Sequence, residues 1–115
     1  MNSVNLIGRI ATNIELRYTP EGTAIAEFVI AVDNYGDKTS FISVTCWRKL
    51  AENVTEYMEK GRQVGVSGEL VQDRWENKEG EKRSKIKVTA RNVKFLGGGS
   101  GKKQENNQDD VDVPF

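Results

Sequence analysis

Apolar and polar side chains alternate along three segments of the N-terminal half, with the period of two that a half-buried β-strand requires. The alternation predicts strands over residues 4–10, 23–33 and 39–47. A tight turn is predicted at residues 19–22, where Pro20 and Gly22 occupy the second and fourth positions of a type I turn. The third strand separates its sides clearly, because Ile42, Val44 and Cys46 alternate with Phe41, Ser43, Thr45 and Trp47.

After Trp47 the apolar spacing becomes helical. Leu50, Val54, Tyr57 and Met58 predict one short amphipathic helix over residues 48–60, with Gly61 at its end. Alternation then returns and predicts strands over residues 62–72 and 82–95. In the fourth strand, Gly65 and Gly68 indicate a bulge or a barrel corner. The fifth is expected to bury Ile86, Val88 and Ala90 opposite a row of basic residues.

This order of elements predicts an all-β fold with one short helix. It favours the OB-fold, a five-stranded Greek-key barrel, here with the helix between strands 3 and 4. Other small barrels and α+β domains give similar element orders, so the order alone leaves them open.

Charge becomes informative once the chain is divided. The 17 basic and 17 acidic residues cancel, but residues 97–115 hold 2 of the basic and 4 of the acidic ones. Residues 1–96 therefore carry 15 basic and 13 acidic residues, so a nucleic-acid interface depends on how these charges are arranged on one face. No apolar run approaches membrane-spanning length and no signal peptide is apparent, which predicts a cytoplasmic protein.

The composition disfavours an enzyme. The chain has no histidine, the commonest general base, and its single cysteine, Cys46, lies on the apolar side of its predicted strand. No Gly-rich phosphate loop or metal-ligand cluster is apparent, so we expect no cofactor and no metal.

Binding is better supported, because aromatic side chains stand where strands or hairpins would display them. Successive aromatic rings can stack on unpaired bases whatever the base, and interleaved cations can contact phosphates. The candidate stacking residues are Tyr35, Phe41, Trp47 and Trp75, the last in a predicted charged hairpin loop. The candidate phosphate contacts are Arg9, Lys38, Arg48, Lys49, Lys60, Arg62, Arg74, Lys82, Arg83, Lys85 and Lys87. The alternatives are rings that pack under the helix or against a partner subunit, and cations that are solvated surface charges.

The C-terminal residues differ in composition from the rest. Residues 97–108 predict a flexible linker of Gly and polar residues, and residues 109–115 an acidic tip that ends on an aromatic ring. An apolar ring beside carboxylates suits an apolar pocket on another protein whose rim carries Arg or Lys. The candidate partner-binding residues are Asp109, Asp110, Asp112, Val113, Pro114 and Phe115.

Several motifs resemble the bacterial single-stranded DNA-binding protein family, over the whole length of the chain. They are Val4 to Gly8 with Arg17-Tyr18-Thr19-Pro20-Glu21-Gly22, Trp47-Arg48-Lys49-Leu50-Ala51-Glu52, Lys60-Gly61-Arg62-Gln63-Val64, Gly68-Glu69-Leu70, Arg74-Trp75 and the terminal Asp112-Val113-Pro114-Phe115. The resemblance implies an OB-fold over residues 1–96, usually a homotetramer, that wraps single-stranded DNA and is therefore associated with the nucleoid. It also implies that the tip recruits replication, recombination and repair proteins, and it places the four candidate aromatics, with Lys38, Lys49, Lys60 and Arg74, near the DNA.

The chain departs from the family pattern at four places. The loop at residues 34–38 and the linker are short, and Val71-Gln72-Asp73 replaces a more basic run. Ile42 stands where some members carry a histidine linked to tetramer assembly. These departures fit a phage-encoded or accessory paralogue. An OB-fold adaptor that mainly binds other proteins of the primosome, similar to primosomal replication protein N, is the alternative function.

Overall fold

The computed structural model describes residues 1–96, which form six strands and one helix. The elements in chain order are β1 (Val4–Ile10), β2 (Glu15–Tyr18), β3 (Ala24–Asp33), β4 (Thr39–Trp47), α1 (Arg48–Tyr57), β5 (Gln63–Glu76) and β6 (Lys82–Phe95). Within these residues, no helix is both long enough and apolar enough to cross a membrane.

Five of the strands close into a barrel. The strand order is β1-β5-β6-β4-β3-β2, and β1 also pairs with β3 at Arg9–Ala31 and Ile10–Ile30, which closes β1, β5, β6, β4 and β3 into a ring. All pairings are antiparallel except that of β4 with β6. The short β2 pairs with β3 and lies outside the closed ring. The predicted OB-fold is confirmed, with its helix between the third and fourth barrel strands, β4 and β5.

The barrel interior is filled by the apolar side of each strand. Ile10, Ile30, Val44, Val64 and Val88 are all buried, as their places in the alternation predict. Leu50, Ala51 and Val54 of α1 join the same cluster. Cβ atoms alternate across a strand, so the residues between these core positions face away from the interior and form the outer surface of the barrel.

One bulge interrupts the alternation, in the region that the glycines of the fourth predicted strand indicate. Ser67 pairs with Asn92 and Gly68 with Ala90, so Arg91 is an extra residue on β6. Ala90 and Val93 consequently both point into the core although three positions separate them. A Cβ on Gly68 would lie 2.1 Å from the carbonyl oxygen of Thr89, so this position requires glycine.

The structure differs from the predicted elements in five respects. The sequence analysis missed β2, and α1 ends at Tyr57 rather than residue 60, because Met58 has an extended backbone although its side chain is buried. Tyr57, placed on the apolar stripe of the helix, is exposed. The fourth predicted strand runs to Glu76 rather than residue 72, and Ile86, expected in the core, is exposed because it lies beyond the barrel on the β5–β6 hairpin.

Candidate nucleic-acid interface

The register of the sheet places three candidate aromatics on one surface. Cross-strand partners share a face, and Trp47 pairs with Ile25, Phe41 with Ala31, and Thr45 with Thr89. Thr89 pairs in turn with Glu69 on β5, the strand on which Trp75 lies three alternations further along. We call this surface the outer face. On strands β3 to β6 it includes Glu27, Phe41, Ser43, Thr45, Trp47, Glu69, Val71, Asp73, Trp75, Arg83, Lys85, Lys87 and Thr89.

The rings of the outer face are open to solvent. The exposed fraction is 67% for Phe41, 39% for Trp47 and 49% for Trp75, and Tyr35 is almost fully exposed. These four rings are therefore not packed in the core or under the helix of this chain, and packing against a partner subunit stays the alternative to a binding role. The hydroxyl positions between the rings are less open than expected, since Thr45 is buried.

Trp75 lies on a strand and not in the hairpin loop, which corrects its predicted position. It pairs with Arg83 on an arm formed by β5 and β6, where β6 has lost its contact with β4. The arm closes in a turn in which Asn77 Oδ1 accepts hydrogen bonds from the amides of Glu79 and Glu81. A cleft of about 490 Å³ in the arm is lined by Gln72, Arg74, Trp75, Glu76, Lys82, Arg83 and Ser84.

Tyr35 and Lys38 lie in the loop between β3 and β4. The Asn34 amide donates to the carbonyl oxygen of Lys38 at 2.8 Å, and Gly36 has a φ of 73°. This short closed loop carries both candidate side chains on the surface next to the strand pair that displays Phe41.

The candidate cations fall into two groups by what they contact. Five have polar partners within the barrel domain: Arg9 donates to the Gly61 carbonyl, Arg74 to Gln72, and Arg62, Arg83 and Lys87 pair with Glu59, Glu81 and Asp73. Arg62 also lies 4.7 Å above the centre of the Phe95 ring. In residues 1–96 the other six form no ion pair or side-chain hydrogen bond; they are Lys38, Arg48, Lys49, Lys60, Lys82 and Lys85.

The register also shows which cations lie beside the rings. Arg9 pairs with Ala31, which pairs with Phe41, so Arg9 and Phe41 are two strands or about 10 Å apart on one row. Arg83, Lys85 and Lys87 share the outer face with Trp75, as the basic row on the last predicted strand indicated. Arg74 and Lys82 alternate with Trp75 and Arg83 and therefore lie on the opposite side of the arm.

Arg48 has an unusual backbone. It follows Trp47 directly and begins α1 with a φ of 60°, the only positive value for a non-glycine residue in the described part of the chain. A left-handed conformation costs an L-residue free energy, about 1–2 kcal/mol. The strained residue, Arg48, is itself a candidate phosphate contact, and it lies between the candidate stacking residue Trp47 and a second candidate phosphate contact, Lys49.

Sequence reasoning missed one cation of the outer face, Arg17. Arg17 of β2 pairs with Ile25, which pairs with Trp47, so a guanidinium lies on the same row as this indole. Its Nη1 donates to Glu27 Oε1 at 2.6 Å, and this bond and the carboxylate charge raise the pKa of Arg17. The signal was the brief alternation Glu15-Leu16-Arg17-Tyr18, which is too short to predict a strand by itself.

The remaining candidates of the sequence analysis concern catalysis and the C-terminus. Cys46 lies in the core, where burial raises the pKa of its thiol to about 12 and keeps it protonated. Residues 1–96 contain no cluster of three or more side chains suited to hold a metal ion. The linker at 97–108 and the candidate partner residues of the tip, 109–115, lie outside the described residues and stay predictions.

Fold and surface together define a small OB-fold domain with an exposed aromatic and cationic face. Residues 1–96 match the model of the single-strand binding protein family. The chain is 40% identical over 111 residues to single-stranded DNA-binding protein A of Bacillus subtilis, covering 88% of this chain and 64% of the relative. It is 43% identical over 102 residues to the single-stranded DNA-binding protein of Clostridium tetani, covering 84% of this chain and 70% of the relative.

A third relative, the single-stranded DNA-binding protein of Treponema pallidum, is 38% identical over 104 residues, which cover 84% of this chain and 58% of the relative. The chain belongs to the single-strand binding protein family. This is a family of DNA-binding proteins rather than of enzymes, which agrees with the reasoning from the missing histidine. The chain spans less than two thirds of the length of two of these relatives.

Proposed function

We propose that this chain binds single-stranded DNA without sequence preference on its outer face and serves DNA replication, recombination and repair. One observation carries the proposal: the register of β4, β5 and β6 brings Phe41, Trp47 and Trp75 to the same exposed surface as Arg83, Lys85 and Lys87. Membership of the single-strand binding protein family supports the choice of ligand.

Stacking supplies affinity that does not depend on sequence. Every base has a π-face, and a base stacked on an aromatic side chain contributes about 1–3 kcal/mol. The exposed rings of Phe41, Trp47 and Trp75 offer such platforms, and Tyr35 offers one on the neighbouring loop. When bases stack on these rings, the protein does not contact their hydrogen-bonding edges. The same surface therefore accepts any sequence.

The cations guide the backbone of the strand. Lys38, Lys49 and Lys85 make no ion pair in residues 1–96, so a phosphate can approach each without displacing a carboxylate. Each phosphate neutralised releases condensed counterions and adds about −0.7 to the slope of log K against log salt for a single strand. Binding by this face is therefore expected to weaken steadily as salt is raised.

Titration with oligo-dT tests the proposal through tryptophan fluorescence. Trp47 and Trp75 are the two indoles of the chain, and stacking on thymine should quench their emission at low salt. A duplex of the same length is the control, since its stacked bases cannot reach the rings. Unchanged emission and no measurable affinity at low salt would reject DNA binding and favour the alternative, a barrel that mainly binds proteins of the primosome.

The proposal includes a homotetramer. In the described chain, β1 pairs with β3 only at Arg9 and Ile10, so its edge from Val4 to Ile7 faces no strand on that side. Ile7 on β1, and Leu70 and Ile86 on β5 and β6, are exposed apolar side chains that a second copy could cover. Native mass spectrometry should give four times the chain mass of 12.9 kDa; a monomer at micromolar concentration would contradict this.

The proposal also assigns partner recruitment to the acidic tip, residues 109–115. Asp109, Asp110 and Asp112 would meet basic side chains of replication and repair proteins, while Phe115 fills an apolar pocket. Phe115→Ala should abolish binding to such a partner and leave the oligo-dT affinity unchanged. Retention of partner binding by Phe115→Ala would assign recruitment to the barrel instead.

A further inference from the structure

Among the ion pairs of the outer face, that of Lys87 with Asp73 lies where the arm joins the barrel. Lys87 Nζ lies 3.0 Å from Asp73 Oδ2, and the side chains are 19% and 46% exposed. The pair runs diagonally across the sheet, because Lys87 is directly opposite Val71 while Asp73 is directly opposite Lys85. Both residues belong to the face that carries Trp75 and Trp47.

In this pair the Lys87 ammonium already contacts an oxyanion, the Asp73 carboxylate. A carboxylate oxygen at 3.0 Å from an ammonium stands where a phosphate oxygen would stand if a DNA backbone crossed the same point. The stem of Lys87 is largely covered, so its ammonium has little freedom to leave Asp73 and meet a phosphate elsewhere.

We propose that Asp73 is a positioning residue whose carboxylate holds the Lys87 ammonium in place of a phosphate, so that DNA gains the contact with Lys87 only by displacing Asp73. The inference rests on the proposed function of the outer face. It predicts that Lys87 contributes less to the affinity and salt dependence than an unpaired lysine such as Lys85, and that removal of the Asp73 charge makes Lys87 available.

A role in folding stability explains the Lys87–Asp73 pair less well than a role in DNA binding does. Ion pairs with one partner near half exposed contribute little to folding stability. The arm is held by a continuous ladder from Leu70–Val88 to Glu76–Lys82, which does not depend on these side chains. Stability and DNA binding are therefore separable at Asp73.

The test is a double-mutant cycle on the full-length chain with oligo-dT as the probe. Asp73→Asn removes the charge and nearly keeps the shape, and Lys87→Gln removes its partner. Because one more cation becomes available, Asp73→Asn should tighten binding about two- to fivefold at low salt and steepen the log K against log salt slope by about 0.7. In the Lys87→Gln background, Asp73→Asn should leave the slope unchanged.

Glu69→Gln is the matched control. Glu69 lies on the same face and strand, two alternations from Asp73, and forms no ion pair in residues 1–96, so its loss changes the net charge without releasing a cation. Equal urea midpoints for wild type, Asp73→Asn and Glu69→Gln establish that folding is not the cause.

Three results would overturn the proposal: an unchanged slope for Asp73→Asn, the same steepening from Glu69→Gln, or the same steepening with Lys87 absent. A wild-type chain that binds no oligo-dT would instead reject the proposed function, and the two failures are thus distinguishable.

Discussion

Of the three aromatic residues on the outer face, Phe41 is the one whose truncation to alanine separates DNA binding from folding most cleanly. Because Phe41 is 67% exposed, only about a third of its surface is removed from water in the free protein. Complete burial of a phenylalanine side chain contributes about 1.5–3 kcal/mol, so its loss here should cost about 0.5–1 kcal/mol of folding stability. Trp47 and Trp75 are more buried, and their truncation would disturb the barrel and the arm more.

The loss in DNA binding should be larger. One stacked base contributes about 1–3 kcal/mol, which corresponds to an increase in the oligo-dT Kd of about 5- to 150-fold. Phe41 is directly opposite Ala31, whose methyl group cannot replace the ring as a stacking surface. The charges are unchanged, so the slope of log K against log salt should stay that of the wild type.

Fluorescence measures this effect directly, because the variant retains both indoles, Trp47 and Trp75. Tyr57→Ala is the matched control: Tyr57 is 63% exposed, nearly as much as Phe41, but it lies on α1 and not on the outer face. We expect a wild-type Kd for Tyr57→Ala. Equal Kd values for Phe41→Ala and Tyr57→Ala would refute the reasoning, because the position of a ring on the outer face would then make no difference to DNA binding.

Four further predictions concern the backbone and the core. Gly68→Ala should destabilise the fold by about 3 kcal/mol or more in urea, because its Cβ would lie 2.1 Å from a backbone oxygen. Arg48→Gly should be more stable than Arg48→Ala by about 1 kcal/mol, because glycine accepts the φ of 60° and both variants lose the charge. Native Cys46 should resist iodoacetamide at pH 8.5 and react in urea. Its raised pKa also predicts that stability falls as the pH rises from 9.0 towards about 12, since the unfolded thiol loses its proton first, and Cys46→Ala should remove this part of the fall.

The parts of the fold that follow from the sequence are those with a dense core. The bounds of β4 and β6 agree with prediction, because Val44, Cys46, Val88 and Ala90 alternate with polar or exposed neighbours and all lie in the barrel. The helix was predicted too long because Met58 keeps the apolar spacing after the backbone has become extended. Periodicity reports which side chains are buried, and the backbone conformation must be inferred from it.

The β5 side of the arm was predicted poorly because the arm has no core. From Gln72 to Glu76 both sides of β5 are polar or exposed, so no alternation marks the strand; its ladder with β6 holds it extended. This explains why Trp75 was assigned to a loop and Ile86 to the interior. The same lack of burial hid Arg17 on β2, whose partners become visible only when β3 is placed beside it.

The proposed binding surface could nevertheless be predicted from the sequence, because the two sides of a barrel strand have different requirements. Inward positions are selected for volume and apolarity, so their residues carry little information beyond the fold. Outward positions need only be compatible with water, and solvent contact disfavours large apolar rings such as those of Phe41 and Trp47. An aromatic residue at an outward position therefore indicates a ligand, whereas Ile42, one position away, indicates only the core. The carboxylates of Asp73 and Glu27 on that same face are the complementary case, because they reduce the attraction for phosphate that the neighbouring cations create.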